Sequence, residues 1–334
     1  MFNRVFVEKE LREHLRAKRI LSKLGLQKVE IVERYDDIWG QVKKPYLQKR
    51  QGLDLFIAKK RGQLIKKAPA AYGTVGAHHY YFIHAFNCIY ECEYCYLQGY
   101  FHTPDLVFFI NHEDILAEMK TVLGHHAKDS QVWFHGGEFS DSLALSHLSD
   151  EWEVYFDFFK ANPKAYLELR TKSANTKALK NLSPLPNIVV SYSLSPFKVS
   201  QKIDRKTPTL KARLKAIEEL ALRGYLIGIH LDPIIDSVDL EKEYGELLDS
   251  LLNTLPTKQL SYLSLGVVRF TPAVFRQVQK NYPRSPILAQ ELTKSFDGKV
   301  RYSRPHRNQI LEQIKTLCLK KGICEEKIYL CMEE

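Results

Sequence analysis

Cys88, Cys92 and Cys95 stand within Asn87-Cys88-Ile89-Tyr90-Glu91-Cys92-Glu93-Tyr94-Cys95-Tyr96-Leu97-Gln98, close enough along the chain for one short loop to gather their sulfurs. Cysteine thiolates are the protein ligands of iron–sulfur clusters, and three of them leave one iron of a 4Fe-4S cube without a protein ligand. The amine and carboxylate of an amino acid can chelate that iron and set a sulfonium beside the cluster. An electron passed into the sulfonium then breaks a carbon–sulfur bond and releases a carbon radical, chemistry that a cofactor carries while the protein supplies position. Two blander readings compete: three ligands of a zinc site completed by His84 or His102, or merely packed thiols. Structural zinc ordinarily uses two CxxC-like pairs, whereas this stretch holds one CxxxCxxC, so the spacing favours the cluster.

An aromatic residue, Tyr94, immediately precedes the third cysteine, and in this the motif resembles the signature of the radical S-adenosylmethionine (SAM) superfamily. Cys92-Glu93-Tyr94-Cys95-Tyr96-Leu97-Gln98 resembles, more narrowly, the spore photoproduct lyase family of DNA-repair enzymes. The likeness extends to Leu55-Phe56-Ile57-Ala58, Phe109-Ile110-Asn111, Thr171-Lys172, Arg269-Phe270-Thr271 and Lys280-Asn281-Tyr282-Pro283, and so runs from about Leu55 to the C-terminus. The resemblance implies a 4Fe-4S cluster on Cys88, Cys92 and Cys95, with SAM cleaved reductively to a 5′-deoxyadenosyl radical. It further implies a pyrimidine lesion in DNA as substrate and a reductant of the flavodoxin or ferredoxin type. Tyr94 and Tyr96 match tyrosines that lie by the cofactor and take part in hydrogen-atom transfer, although a tyrosine is as readily simple packing.

One departure is serious. Family members that repair the thymine lesion carry a hydrogen-donor cysteine in the loop after the second strand; Glu138 stands there, and no cysteine lies between Cys95 and Cys318. Cys318, Cys324 and Cys331 match no cluster spacing and read as packed or unbonded thiols. Radical chemistry on another nucleic acid, a peptide or a small molecule is therefore a competing function. A non-enzymatic, metal-containing nucleic-acid-binding module is another.

A second constellation is His135-Gly136-Gly137-Glu138-Phe139-Ser140-Asp141. Paired glycines clear side chains where a backbone approaches a ligand; a turn needing positive φ is the lesser alternative. The resemblance makes Gly136, Gly137 and Glu138 the superfamily's Gly-Gly-Glu element, with Ser140 and Asp141 also near the cofactor. It suggests Lys172 and Ser191 as further contacts, and Ser193 alternates with Ser191 on the same strand. Alone, a strand-end lysine is usually a solvated charge and alternating serines an exposed face.

These residues need a scaffold, and from about Tyr80 the chain supplies an alternating one. Strand-like runs at Tyr80–Phe86, Gln131–His135, Ala165–Arg170, Asn187–Ser193, Leu226–Leu231 and Ser261–Phe270 are separated by stretches with apolar residues at three- and four-residue spacing, such as Glu113–Leu123, Ser142–Lys160, Leu210–Leu222 and Leu240–Leu252. This is the pattern of βα units. It predicts an α/β fold, a partial (β/α)6 TIM-like barrel over residues 76–282, whose chemistry belongs on loops at the strands' C-terminal ends. A doubly wound sheet fits the same periodicity. Asn111 is a candidate helix cap, and Gly224 a helix end. Residues 1–75 read as an N-terminal helical and basic extension, and residues 283–334 as a β-hairpin around Asp297-Gly298-Lys299 followed by a helix over about Asn308 to Lys321.

The chain has 334 residues and a formal net charge of +10, which attracts polyanions without requiring one. Six cysteines in two trios do not resemble a disulfide framework and suit a reducing compartment. No apolar run approaches the ~18 residues of a membrane span, so a cytoplasmic protein is expected. Basic and aromatic residues interleave at Lys43-Lys44-Pro45-Tyr46 with Lys49-Arg50, and again from Arg269 to Arg307. Cations neutralise phosphates and aromatics stack on unpaired bases, although such charges are as often a solvated surface. In the resembling family a C-terminal hairpin enters the damaged duplex, which makes Lys299, Arg301 and Tyr302 the nucleic-acid candidates.

Overall fold

The computed structural model describes residues 2–26, 28–41, 52–69, 72–73, 76–126 and 131–333. Six strands lie side by side in chain order, all parallel: β1 (His78–Phe82), β2 (Val132–Gly136), β3 (Ala165–Thr171), β4 (Ile188–Ser193), β5 (Leu226–Ile234) and β6 (Leu260–Val267). Because the order never reverses, the sheet has no switch point and curls into a half-barrel instead of a doubly wound layer. Ile65–Lys67 adds antiparallel to β1, and Ile328–Leu330 adds parallel to β6, at the two edges.

The strands alternate between two kinds of interior. Phe134, Leu167, Leu169, Val190, Ile229 and Leu265 project to the outer face, where they join one buried apolar cluster with the covering helices. The intervening positions carry His135, Glu168, Ser191, His230 and Tyr262 to the concave face. Period-two alternation of side chains across a strand produces this division.

Covering helices are His112–Gly124, Trp152–Ala161, Leu210–Leu222 and Leu240–Leu252. One expected βα unit is incomplete: between β3 and β4 the chain makes only a short 3-10 turn, Lys177–Leu179. Pro184 and Pro186 explain this, since each removes an N–H and fixes φ where a helix would have to continue. Gly224 follows the helix Leu210–Leu222 at φ +94°, as its position predicts. Asn111 precedes a helix but does not cap it: its side chain holds the Lys60 backbone, accepting from its N–H (2.8 Å) and donating to its carbonyl (3.0 Å).

The N-terminal residues depart from the helical extension expected of them. Val5–Glu8 is a buried strand, followed by the helix Leu15–Lys23. A five-stranded sheet runs in the order Glu30–Val32, Val5–Glu8, Leu55–Ala58, Leu106–Phe109, Ala85–Phe86. It therefore joins the N-terminal region to strands that flank the cysteine loop. The four-residue run Val5-Phe6-Val7-Glu8 is short enough to be hidden by the basic helix that follows. The basic residues Lys43, Lys44, Lys49 and Arg50 lie outside the described residues. At the other end, Thr293–Lys294 and Val300–Arg301 form the expected hairpin, with Arg269–Phe270 as its third strand. The last helix starts earlier than the sequence suggests, at Arg304.

Candidate active site

The cysteine loop leaves β1 through the short strand Ala85–Phe86 and is held from several directions. Asn87 adopts φ +63°, a conformation asparagine tolerates better than most residues, and its amide donates to the carbonyls of Thr103 (2.8 Å) and Asp105 (2.7 Å). Glu91–Cys92 pairs antiparallel with Asp204–Arg205. Arg205 reaches Glu93 at 2.7 Å, and Lys206 reaches Glu91 at 2.8 Å. Gln98 donates to the carbonyls of Glu93 and Cys95, each at 2.9 Å, and accepts from Asn281 at 2.9 Å. At Gly99 a Cβ would stand 2.9 Å from the Val274 Cα, so the turn of helix at Leu97–Tyr100 packs directly on the helix Pro272–Asn281.

This scaffold presents all three cysteines to one open cavity of about 520 Å³ at the C-terminal end of the barrel. Cys92 is buried, and Cys88 and Cys95 are partly exposed. None of the six cysteines forms a disulfide. Among the described residues no three His, Cys, Asp or Glu side chains converge on a point that would enclose a single metal ion. Cysteine thiolates are the protein ligands of iron–sulfur clusters, and the three thiols bordering this one cavity fit a 4Fe-4S cluster.

The second strand's loop completes the rim. Gly137 has φ +86°, and a Cβ there would come within 2.7 Å of the Arg170 carbonyl oxygen and 2.8 Å of the Ser142 hydroxyl. Both the dihedral and the space demand glycine. Gly137→Ala should therefore lower stability by about 2 kcal/mol, measurable by denaturant unfolding; a loss below about 0.5 kcal/mol would show that the loop can relax. Glu138, Ser140 and Asp141 line the cavity. Burial raises the Glu138 carboxyl above its ordinary range, and the Tyr96 hydroxyl donates to the Glu138 backbone carbonyl. Asp141 also holds the loop in place. It accepts from the backbone N–H groups of Leu143, Ala144 and Lys172 and from the Thr171 hydroxyl, locking this loop to the end of β3.

The other expected residues divide. Lys172 and Ser193 face the cavity, the Lys172 ammonium lying 5.4 Å from the centre of the Tyr94 ring. Tyr94 donates to Asp204, which in turn pairs with the fully buried Arg213. Gly136 and Ser191 do not line the cavity. Gly136 is packed against Phe82 and Ser142, and the Ser191 hydroxyl donates to Glu168 at 2.6 Å beneath the floor. In the hairpin, Lys299 reaches the rim, but Arg301 and Tyr302 are turned inward. Arg301 pairs with Asp297 and Glu333, and the Tyr302 hydroxyl accepts from the Asp236 N–H. Their charge and aromaticity serve to anchor the hairpin, so neither is presented to a nucleic acid. The large apolar side chain exposed at the tip is Phe296.

Several site residues belong to no local motif. Glu168 is buried beneath the cavity and accepts from Ser191, Tyr262 (2.5 Å) and Arg170, with His135 and His230 (2.7 Å) also against its carboxylate. Burial alone would raise its carboxyl, but the charges of Arg170 and His135 and the hydrogen bonds hold it well below the ordinary range. Arg269 and Asp232 form a bidentate pair (2.9 and 2.8 Å) on the cavity wall. The available signal was polarity at alternate positions, Tyr166-Glu168-Arg170 and His230-Asp232, in strands whose other positions are apolar.

Comparison with known proteins places this geometry. The family model described as spore photoproduct lyase matches residues 3–322. Spore photoproduct lyase of Clostridium acetobutylicum is 23% identical over 68% of this chain and 69% of its own, and that of Bacillus subtilis 23% identical over 70% of each. A solved spore photoproduct lyase complexed with dinucleoside spore photoproduct superposes with a TM-score of 0.83, covering 99% of this chain and 98% of that one at 20% identity. A mutant of the lyase with bound AdoMet and the same dinucleoside also gives 0.83, at 18% identity, covering 100% of this chain and 99% of that one. With the family model spanning nearly the whole sequence and the three cysteines gathered at the barrel mouth, the chain belongs to the spore photoproduct lyase family of radical SAM enzymes.

Proposed function

We propose that this protein uses a 4Fe-4S cluster on Cys88, Cys92 and Cys95 with SAM to repair a pyrimidine lesion in DNA of the spore photoproduct type. The observation that carries the reading is that the three thiols, the two tyrosines flanking Cys95 and the C-terminal hairpin border one cavity. The cluster and SAM, when bound, supply a 5′-deoxyadenosyl radical for hydrogen abstraction.

The chain's own residues do the positioning. Gly137 lets the loop backbone approach the cavity, while Asp141 keeps that loop fixed to β3. Lys172 and the Arg269–Asp232 pair offer charge to a polar ligand, and Tyr94 and Tyr96 bring their phenols to the same cavity, held by Asp204 and the Glu138 carbonyl. Lys299 at the rim and Phe296, 79% exposed at the hairpin tip, suit a phosphate and an unpaired base respectively. The net charge of +10 favours a DNA partner. A small ferredoxin or flavodoxin is the fitting electron donor, and the reduced cytoplasm the fitting compartment; no helix among the described residues is long and apolar enough to cross a membrane.

The deciding experiment is anaerobic reconstitution with iron and sulfide, then incubation with SAM, dithionite and ultraviolet-irradiated DNA, with product analysis by mass spectrometry. Loss of the spore photoproduct that depends on SAM is expected, with 5′-deoxyadenosine detectable as the product of hydrogen abstraction. SAM cleavage with the lesion untouched would redirect the reading to another substrate, and tightly held zinc with no cleavage would end it.

A further inference from the structure

Repair begun by hydrogen abstraction leaves a carbon radical once the bond between the two bases breaks. The lesion returns to two intact bases only if that radical receives a hydrogen atom. Thiol S–H and phenol O–H bonds are among the weakest X–H bonds a side chain offers, and four thiols border the cavity: Cys88, Cys92, Cys95 and Cys331. The first three are committed to iron.

Cys331 is not an isolated thiol, for it is delivered to the same cavity wall by specific pairing. The strand Ile328–Leu330 joins β6 in parallel, and the Cys331 N–H donates to the Leu265 carbonyl at 2.7 Å. Its sulfur lies 3.8 Å from Arg269 Nη2, whose guanidinium is fixed by Asp232. Tyr81 of β1 packs in the same buried cluster as Cys331 and also lines the cavity. Cys318, by contrast, is buried in the outer core and Cys324 is exposed away from the cavity. Glu138 cannot do this work, because a carboxyl O–H is too strong a bond.

We infer that Cys331 is the hydrogen-atom donor to the lesion-derived radical, reaching the cavity from the C-terminal strand. The inference rests on the repair reading above. Its Sγ–H bond breaks as a C–H bond forms on the freed base, and a thiyl remains on Cys331. Tyr81 or Tyr96 refills the thiyl with a phenolic hydrogen. The hydrogen first abstracted from the lesion, held on 5′-deoxyadenosine, returns to the phenoxyl; the 5′-deoxyadenosyl radical so regenerated re-forms its carbon–sulfur bond to methionine while one electron goes back to the cluster, so the sum consumes neither oxidant nor reductant. Burial pushes the Cys331 thiol up to about 12, which keeps it in the S–H form at neutral pH.

The test uses the cluster-loaded full chain with SAM and dinucleoside spore photoproduct in D2O, comparing wild type with Cys331→Ala and Cys331→Ser. Wild type should place one deuterium in the repaired base on the first turnover. Both variants should still consume the lesion and form 5′-deoxyadenosine, while the yield of repaired dinucleoside drops about tenfold or more. Freeze-quenched samples of the variants should then show a lesion-derived radical by electron paramagnetic resonance. Lesion affinity, measured by calorimetry without reductant, should stay within about twofold. Repair by the variants with wild-type yield and labelling overturns the inference alone, as does a tenfold or greater loss of affinity, which would assign Cys331 a structural role. If wild type leaves the lesion intact, the repair reading itself fails and takes this inference with it.

Discussion

In the Cys92→Ala protein, formation of 5′-deoxyadenosine from SAM should fall by about 10³-fold or more, equivalent to roughly 4 kcal/mol of barrier. Cys92 is the buried member of the trio, sitting in the strand pair Glu91–Cys92 with Asp204–Arg205, so its sulfur cannot be replaced by a neighbouring side chain swinging in. With the proposed ligand set, alanine leaves a second iron without a protein ligand, and the cluster loses the single open corner on which cofactor chelation depends. Burial pushes the Cys92 thiol up, well beyond its ordinary value. A buried thiolate needs a partner of opposite charge, which a bound metal supplies. Iron and sulfide content, the visible absorbance of anaerobically reconstituted protein and chromatography of the products together check this. Activity of the variant within tenfold of wild type would contradict the ligand assignment.

The largest effect on stability is expected at Glu168. Glu168→Ala withdraws the acceptor shared by Ser191, Tyr262, His230, His135 and Arg170 in a buried layer, with Glu168 itself 1% exposed. Removing one partner from a buried charged network costs about 3–5 kcal/mol, because the remaining charge and donors stay desolvated and unpaired. Urea unfolding measures this directly; a loss below about 1 kcal/mol would mean that water enters and replaces the carboxylate. The same layer fixes the direction of acid sensitivity. The Glu168 carboxyl is lowered in the folded protein, so its contribution is complete above the unfolded carboxylate value near ~4.3 and is lost as pH falls through the lower folded value. His135 and His230 are also lowered, chiefly by burial. The unfolded chain therefore takes up their protons first, and stability should begin to fall below about pH 6.5. In Glu168→Ala the carboxylate component disappears, and the lower part of the acid unfolding profile should flatten.

How far the sequence could be read depended on the range of the interactions concerned. The cysteine motif was legible because cluster ligation asks only for thiols at short spacing, and Gly137 because a positive φ and a crowded Cβ position select one residue type. The six parallel strands were legible from alternating periods, and the hairpin from its Asp297-Gly298 turn. Ser191 was assigned the wrong neighbour: alternation places it correctly on the concave face, but whether that depth meets the cavity or the Glu168 layer depends on strand register. Arg301 and Tyr302 misled for a similar reason, since a basic or aromatic residue looks alike in sequence whether it faces DNA or anchors a hairpin to Asp297, Glu333 and the Asp236 backbone.

By itself the sequence carried the cysteine motif, the α/β alternation and the family, since each is encoded in residue types a few positions apart. Only the tertiary structure decided that Val5–Glu8 completes a sheet beside the cysteine loop, that Glu168 gathers side chains from β2, β4, β5, β6 and its own strand, and that Cys331 borders the reactive cavity. Most of those contacts join residues tens to hundreds of positions apart. Their partners are chosen by strand register and packing, and local periodicity carries no information about either.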